Sequence, residues 1–246
     1  MEHLPLRDVL YEPHTEPALH QLGRLALPDA RVHGPGPYPA VLVCHAWKGQ
    51  SPFEQDKARA LAALGYVAMA GDVYGDAVLE TEAAGAAARM RPLVADRSLL
   101  RGRLLAGIAA LRSQPEVDAR RVAAIGFCFG GLCVLEIARS GADVRAVVAF
   151  HGLLHRGDAP TARPMPARVL VEHGWDDPMA PPVHVVALAA ELTEAETHWA
   201  LHAHGGVVHA FTNPAAADRA GGLHYDADAD RRSWASMRAW LQDSFA

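Results

Sequence analysis

The residues best suited to chemistry form a glycine-rich segment around Cys128, Gly126-Phe127-Cys128-Phe129-Gly130-Gly131. A buried apolar run precedes this segment and a helix-forming stretch follows it, so the pattern Gly-x-Cys-x-Gly occupies the strand-to-helix turn of a nucleophile elbow. Its glycines leave room for the sharp reversal of the chain. The positive end of the following helix favours the thiolate form of Cys128, and the N–H of Phe129 is placed to donate to an oxyanion. The alternative is an inert cysteine buried beside an ordinary turn.

A nucleophile of this kind needs a carboxylate later in the chain to orient its base. The segment 172–178 follows a predicted strand and offers two candidates, Asp176 and Asp177. The spacing Gly-x-x-Asp-x-x-x-Pro favours Asp177 and leaves Asp176 as a solvated neighbour or turn former. The alternative role for Asp177 is that of a helix N-cap.

Histidines crowd the next part of the chain, at positions 198, 202, 204 and 209. His198 and His202 lie in or at the end of a predicted strand, where packing or edge roles are expected. His209 follows the glycine pair 205–206 in a loop and is the candidate base, which completes the order nucleophile, acid, base. Zinc binding by His202 and His204 is the competing interpretation. No cysteine or carboxylate with ligand spacing accompanies them, so we predict no metal.

Further residues near predicted strand ends could complete the site. The loop 45–49 follows an early strand, and the N–H of Trp47 is the natural second oxyanion donor. Lys48 and Gln50 are predicted to be exposed. Four side chains could line a substrate pocket: Tyr74, Phe127, His151 and Trp175. For Phe127, packing in the core is an equally good interpretation.

Strands and helices alternate along the chain and would position these residues. Short apolar runs predict buried strands at 40–44, 66–70, 121–126, 144–150, 168–173 and 197–202. Helices are predicted at 53–64, 80–90, 95–113, 130–140, 182–192 and 231–245, with Pro92 separating the second from the third. Residues 18–27 alternate and predict an antiparallel edge strand. This order predicts an α/β fold with a mostly parallel central sheet covered by helices on both faces, and ligands bind such sheets beyond the carboxyl ends of the strands.

Composition excludes several classes of protein. The chain has 246 residues, of which 50% are hydrophobic and 21% charged, and its elements fill the whole length, so we predict one domain over 1–246 without a large cap. The net charge of −5 offers no basic surface to nucleic acid or an anionic membrane. No apolar run reaches the roughly 18 residues of a membrane span, and residues 1–8 lack a secretory signal, so a cytoplasmic location is expected. Three cysteines argue against a disulfide framework.

Together these motifs resemble the dienelactone hydrolase family, the carboxymethylenebutenolidase-like α/β-hydrolases. Segments 45–49, 63–75, 126–131, 173–178 and 209–213 carry the resemblance, and the segment from Tyr225 to Trp234 also fits. It implies an α/β-hydrolase fold, a Cys128–Asp177–His209 triad, and oxyanion N–H groups from Trp47 and Phe129. It also implies hydrolysis of an enol lactone or a small activated ester through a thioester acyl-enzyme. No cofactor is expected, and the protein is expected to act as a monomer or small homo-oligomer.

The sequence departs from the family's pattern at two positions. The family has a glutamate one residue before the first oxyanion donor, which helps to ionise the thiol, and here that residue is Ala46. It has an arginine four residues after the catalytic histidine, which holds the substrate carboxylate, and here that residue is Asn213. Thiol activation would then rest on His209 and the helix terminus. Arg89 or Arg91 would either supply another anion contact or be surface charges. A non-catalytic scaffold with a binding role is the competing function.

Overall fold

The structure is a computed structural model that describes residues 4–13 and 19–246. Its strands are β1 (Leu6–Tyr11), β2 (Gln21–Ala26), β3 (Tyr38–Cys44), β4 (Val67–Ala70), β5 (Val117–Phe127), β6 (Ala146–Phe150), β7 (Arg168–Gly174), β8 (Trp199–His204), β9 (Ala217–Asp218) and β10 (Leu223–His224). Its helices are α1 (Ala30–His33), α2 (Pro52–Ala62), α3 (Ala83–Ala95), α4 (Arg97–Arg112), α5 (Phe129–Arg139), α6 (Pro182–Glu194) and α7 (Ala227–Phe245).

Eight of the strands form a mostly parallel sheet in the order β1-β2-β4-β3-β5-β6-β7-β8, and β9 and β10 form a separate ribbon. The pairs β3–β4, β6–β7 and β7–β8 are parallel, whereas β2 is antiparallel to both its neighbours. Each apolar run predicted as a strand overlaps one of β3 to β8. The predicted α/β class is therefore confirmed.

The chain divides into two compact units, Met1–Ala124 and Ile125–Ala246. In the first unit the edge strand of the sheet is β1, so the prediction of an edge strand at 18–27 is wrong in its placement, although β2 is antiparallel. The sequence does not reveal β1 as a strand, because the charged pair Arg7 and Asp8 interrupts its apolar residues. Ala18, where the predicted strand begins, lies outside the described residues.

Local signals fix the helices of the first unit. Helix α2 starts with a reciprocal capping box, in which the Ser51 hydroxyl accepts a backbone hydrogen bond and Glu54 reaches back to the Ser51 N–H. Helix α3 runs through Pro92, where a break was predicted. Pro92 removes a single backbone donor in the last turn, and the helix ends at Ala95. The carboxylate of the next residue, Asp96, caps α4 by accepting the N–H of Leu99 at 2.9 Å.

In the second unit a buried ionic network joins two helices. Arg139 at the end of α5 donates to Glu136 at 3.0 Å and twice to Glu191 of α6, at 2.8 and 3.0 Å. Both Arg139 and Glu136 are fully buried. Since a buried charge without its partner costs about 3–5 kcal/mol, this network fixes α5, the helix that follows Cys128, against α6.

The same unit contains the longest helix, α7, which packs against β6 and β7. Among the described residues, no helix combines the length and the apolar character needed to cross a membrane.

Candidate active site

Cys128 lies at the turn between β5 and α5 with a left-handed backbone, at φ +57°. Its N–H donates to the carbonyl of Phe150 at 3.1 Å. The adjacent glycines are sterically required: a Cβ on Gly126 would lie 2.0 Å from the carbonyl oxygen of Gly130, and one on Gly131 would lie 2.5 Å from the Cα of Gly152. The turn is thus built as the sequence predicted, with a strained residue held at the start of a helix.

A buried hydrogen bond joins Asp177 to His209. The Nδ1 of His209 lies 2.7 Å from Oδ2 of Asp177, and both side chains are almost fully buried. The other carboxylate oxygen accepts the N–H of Met179 at 2.8 Å, which fixes the plane of the carboxylate. Asp176 is exposed. The N-cap alternative is wrong for Asp177, because α6 is capped at Pro181.

The surroundings of His209 favour its charged form. Burial lowers the pKa of this imidazole. The charge on the Cys128 sulfur and the hydrogen bond to Asp177 raise it by a larger amount, so that the pKa is about 10. Among the effects that raise the pKa of His209, the sulfur charge of Cys128 is the largest. The Nε2 of His209 is buried and makes no hydrogen bond of normal geometry within the described residues. The imidazole of His209 thus hydrogen-bonds a carboxylate on one side and is influenced by the sulfur of Cys128.

The backbone of His209 is clamped by the β9–β10 ribbon. Its N–H donates to Gly222 at 3.0 Å, and its carbonyl accepts from His224 at 3.1 Å. The next residue, Ala210, has φ +59°. The sequence did not predict this ribbon, because each strand has only two residues.

Glu172 of β7 is a second buried carboxylate that the sequence did not reveal as part of this region. Its two oxygens lie 2.9 Å from Nδ1 of His202 and 3.0 Å from Nε2 of His204. His204 is the last residue of β8 rather than a loop residue, and its ring packs against Phe211 at 5.5 Å. These imidazoles pair with a carboxylate; within residues 4–13 and 19–246 no three or more histidine, cysteine or acidic side chains are grouped to hold a metal.

The three candidate pocket residues of the second unit differ in exposure. Phe127 is buried and stacks on Phe150, with ring centroids 4.8 Å apart, which is a packing contact. His151 is 2% exposed, and its Nε2 lies 2.8 Å from the hydroxyl of Thr212. Trp175 is 42% exposed, beyond the end of β7, and has the accessibility that a substrate contact requires.

In the first unit, the loop 45–49 is held by buried polar contacts. The Ala46 N–H donates to Glu54 at 3.0 Å, and the hydroxyl of Tyr74, the fourth pocket candidate, donates to the carbonyl of Trp47 at 2.6 Å. In the part of the chain that the structure describes, the N–H of Trp47 donates to no backbone carbonyl. It is left as a donor, as an oxyanion site needs. Glu54 was missed, although Ser51-x-x-Glu54 is a recognisable capping-box pattern.

Other polar residues of the first unit have structural roles. Gln50 was predicted to be exposed, which is wrong: it is 8% exposed and donates to the carbonyls of Leu22 and Ala70. Arg89 forms a surface ion pair with Glu80 at 3.0 Å, and Arg91 is exposed.

The chain matches the dienelactone hydrolase family over residues 23–245. A dienelactone hydrolase-like promiscuous phosphotriesterase from metagenomic libraries has a crystal structure with TM-score 0.91 and 38% identity, covering 98% of each chain. The solved structure of m3DLH gives TM-score 0.90 and 37% identity, again over 98% of each chain. An uncharacterised protein of Caenorhabditis elegans is 38% identical over 150 residues, which are 60% of this chain and 95% of that protein.

The family match runs through nearly the whole chain and includes every candidate site residue. The protein is a hydrolase that belongs to the dienelactone hydrolase family.

Proposed function

We propose that the protein hydrolyses carboxylic esters or lactones through a thioester on Cys128, with His209 as acid and base and Asp177 as its orienting carboxylate. The observation that carries this proposal is the buried His209, which Asp177 holds through Nδ1 and whose pKa the sulfur charge of Cys128 raises. An imidazole that merely filled a core would stay neutral, because burial lowers its pKa.

In the first step the Cys128 thiolate attacks the carbonyl carbon, and the carbonyl electrons move to oxygen. The N–H of Phe129 is a proposed donor to this oxyanion, worth about 3 kcal/mol. The C–O bond then breaks, the imidazolium of His209 gives its Nε2 proton to the leaving alkoxide, and the acyl group stays on sulfur.

The second step needs His209 to act as a base, and acylation of Cys128 itself lowers the pKa of His209. Once the sulfur carries an acyl group it has no negative charge, so the largest of the effects that raise the pKa of His209 is removed. The proton has left with the alcohol, and the neutral imidazole takes a proton from water as the water attacks the thioester carbonyl. The C–S bond then breaks, the carboxylic acid leaves, and the Cys128 thiolate and the His209 imidazolium are restored. One side chain can thus serve both half-reactions.

The titration of His209 tests this account. We expect its pKa to be about 10 in the free enzyme and to fall in Cys128→Ser, because the hydroxyl carries no charge to stabilise the imidazolium. Histidine NMR over a pH series measures both values, and a His209→Gln variant assigns the signal. An identical pKa in the wild type and Cys128→Ser would contradict the proposed ion pair.

The substrate is proposed to be uncharged. Ala46 and Asn213 replace the acidic and the cationic residue that the family pattern has at these positions, and Arg89 is paired on the surface. A second candidate activity, hydrolysis of neutral phosphate triesters, is favoured by the same neutrality and by the phosphotriesterase relative. There the thiolate would attack phosphorus, an aryloxide would leave, and water would cleave the S–P bond.

Intact-mass analysis after an acid quench tests both activities and the scaffold alternative. With p-nitrophenyl acetate we expect a p-nitrophenol burst and one acetyl adduct that peptide mapping locates on Cys128. Diethyl p-nitrophenyl phosphate would give a diethylphosphoryl adduct at the same residue if the second activity is present. Hydrolysis that continues after Cys128 is fully alkylated, or no hydrolysis of any ester, would contradict the thioester mechanism.

A further inference from the structure

We propose that His151 is a positioning residue that sets the ring plane of His209, acting through its contact with that ring and through Thr212. This inference rests on the proposed function, since it gives His209 the role of acid and base. It replaces the sequence expectation that His151 lines the substrate pocket.

Asp177 alone leaves one freedom of the His209 ring unrestrained. Its single hydrogen bond at Nδ1 fixes one corner of the ring, and the ring can still tilt about that contact. The ring of His151 meets that of His209 edge to face, with centroids 5.0 Å apart and an interplanar angle of 68°. This contact removes the tilt and so fixes the direction in which Nε2 points.

His151 is itself fixed to the loop that carries the base. Its Nε2 lies 2.8 Å from the hydroxyl of Thr212, three residues after His209, and both side chains are buried. Phe211 also contacts the His151 ring edge to face, with ring centroids 5.1 Å apart and an interplanar angle of 79°. A hydrogen bond between two buried groups is costly to break, because neither group can turn to water instead.

The backbone connects this contact to the nucleophile. His151 follows β6 directly, and its N–H donates to the carbonyl of Glu172 at 2.8 Å. The preceding residue, Phe150, accepts the N–H of Cys128 at 3.1 Å. Residues 150–151 therefore touch the nucleophile through the backbone and the base through a side chain. His151 has φ +37°, a conformation that such surrounding contacts must maintain.

Two substitutions break the buried hydrogen bond from opposite ends. His151→Phe keeps an aromatic ring against His209, and Thr212→Val keeps the shape of the threonine. We expect each to lower kcat for p-nitrophenyl acetate by about 10- to 100-fold, since a small misplacement of a reacting group has effects of this order, with KM within about twofold. The double variant should be no slower than the slower single variant. Thr212→Ser keeps the hydroxyl and should restore most of kcat.

The His209 titration separates positioning from a structural effect. If His151 orients His209 toward the sulfur, the pKa of His209 falls in both variants while the thermal midpoint and the acetyl adduct on Cys128 persist. If KM rose in His151→Phe while kcat and KM of Thr212→Val stayed at the wild-type values, His151 would be a pocket residue and the proposal would be overturned. Wild-type kcat in both variants would also overturn it. A wild-type enzyme that forms no adduct would be a failure of the proposed function and not of this inference.

Discussion

Replacing Cys128 with serine is expected to lower kcat/KM for p-nitrophenyl acetate by about 1,000-fold or more. The hydroxyl is a much weaker acid than the thiol, so the proposed thiolate–imidazolium pair cannot form and the sulfur charge that raises the pKa of His209 is lost. Steady-state rates, with the spontaneous hydrolysis subtracted, measure the loss. Serine keeps the left-handed turn and nearly the same volume, so the variant should fold normally.

Cys133→Ala is the matched control for this substitution. Cys133 is fully buried in α5, roughly 1.4 helical turns after Cys128, and it has no part in the proposed mechanism. The kcat/KM of the Cys133→Ala variant should stay within about twofold of wild type. Its free energy of unfolding should fall by about 1 kcal/mol, because the substitution leaves a small cavity. If Cys133→Ala lost activity as Cys128→Ser does, or if Cys128→Ser kept its rate, the assignment of the nucleophile would be wrong.

Asp177→Asn is expected to lower kcat by about 10,000-fold, the order of the loss when the carboxylate of a catalytic triad becomes an amide. The amide removes the negative charge that stabilises imidazolium, and its NH₂ group can favour the wrong tautomer of His209. Its oxygen can still accept the N–H of Met179, so the loop should keep its shape. The pKa of His209 should fall in the same variant, because the bond to Asp177 is one cause of its elevation.

The neighbouring Asp176 provides a control that differs by one position. Its side chain is exposed, whereas Asp177 is 2% exposed. We expect Asp176→Asn to change kcat by less than about twofold, in line with an exposed charge of little energetic weight. Equal losses in the two variants, or a larger loss at Asp176, would reverse the assignment that the spacing and the 2.7 Å contact support.

The strands of the sheet could be predicted because the signals are local. Strands β3, β4 and β6 are buried apolar runs that no charge interrupts. The elbow is recognisable from Gly126 and Gly131, where a Cβ would collide with Gly130 and Gly152. The pairing of Asp177 with His209 was predictable from the order of these residues after Cys128. The edge strand β1 was not, because a strand with one buried residue has no continuous apolar pattern.

The side-chain contacts that the sequence could not show depend on how the strands are paired. Glu172 meets His202 and His204 only because β7 and β8 pair so that Glu172 stands opposite His202, and no spacing along one chain encodes that pairing. The contact between His151 and Thr212 joins residues 61 positions apart and is hidden for the same reason. Helix α3 is a different case. Pro92 is a strong helix breaker, but in the last turn of α3 it removes only one backbone hydrogen bond, so the helix continues through it.

For an engineer who wants a more heat-resistant enzyme, the left-handed backbone at Cys128, His151 and Ala210 marks positions to leave alone. Each such residue holds about 1–3 kcal/mol that a relaxed chain would recover. A glycine at 210 would therefore be selected in a screen for melting temperature alone. The same change would loosen the segment that carries His209, so the gain in thermal stability would be accompanied by a loss of turnover.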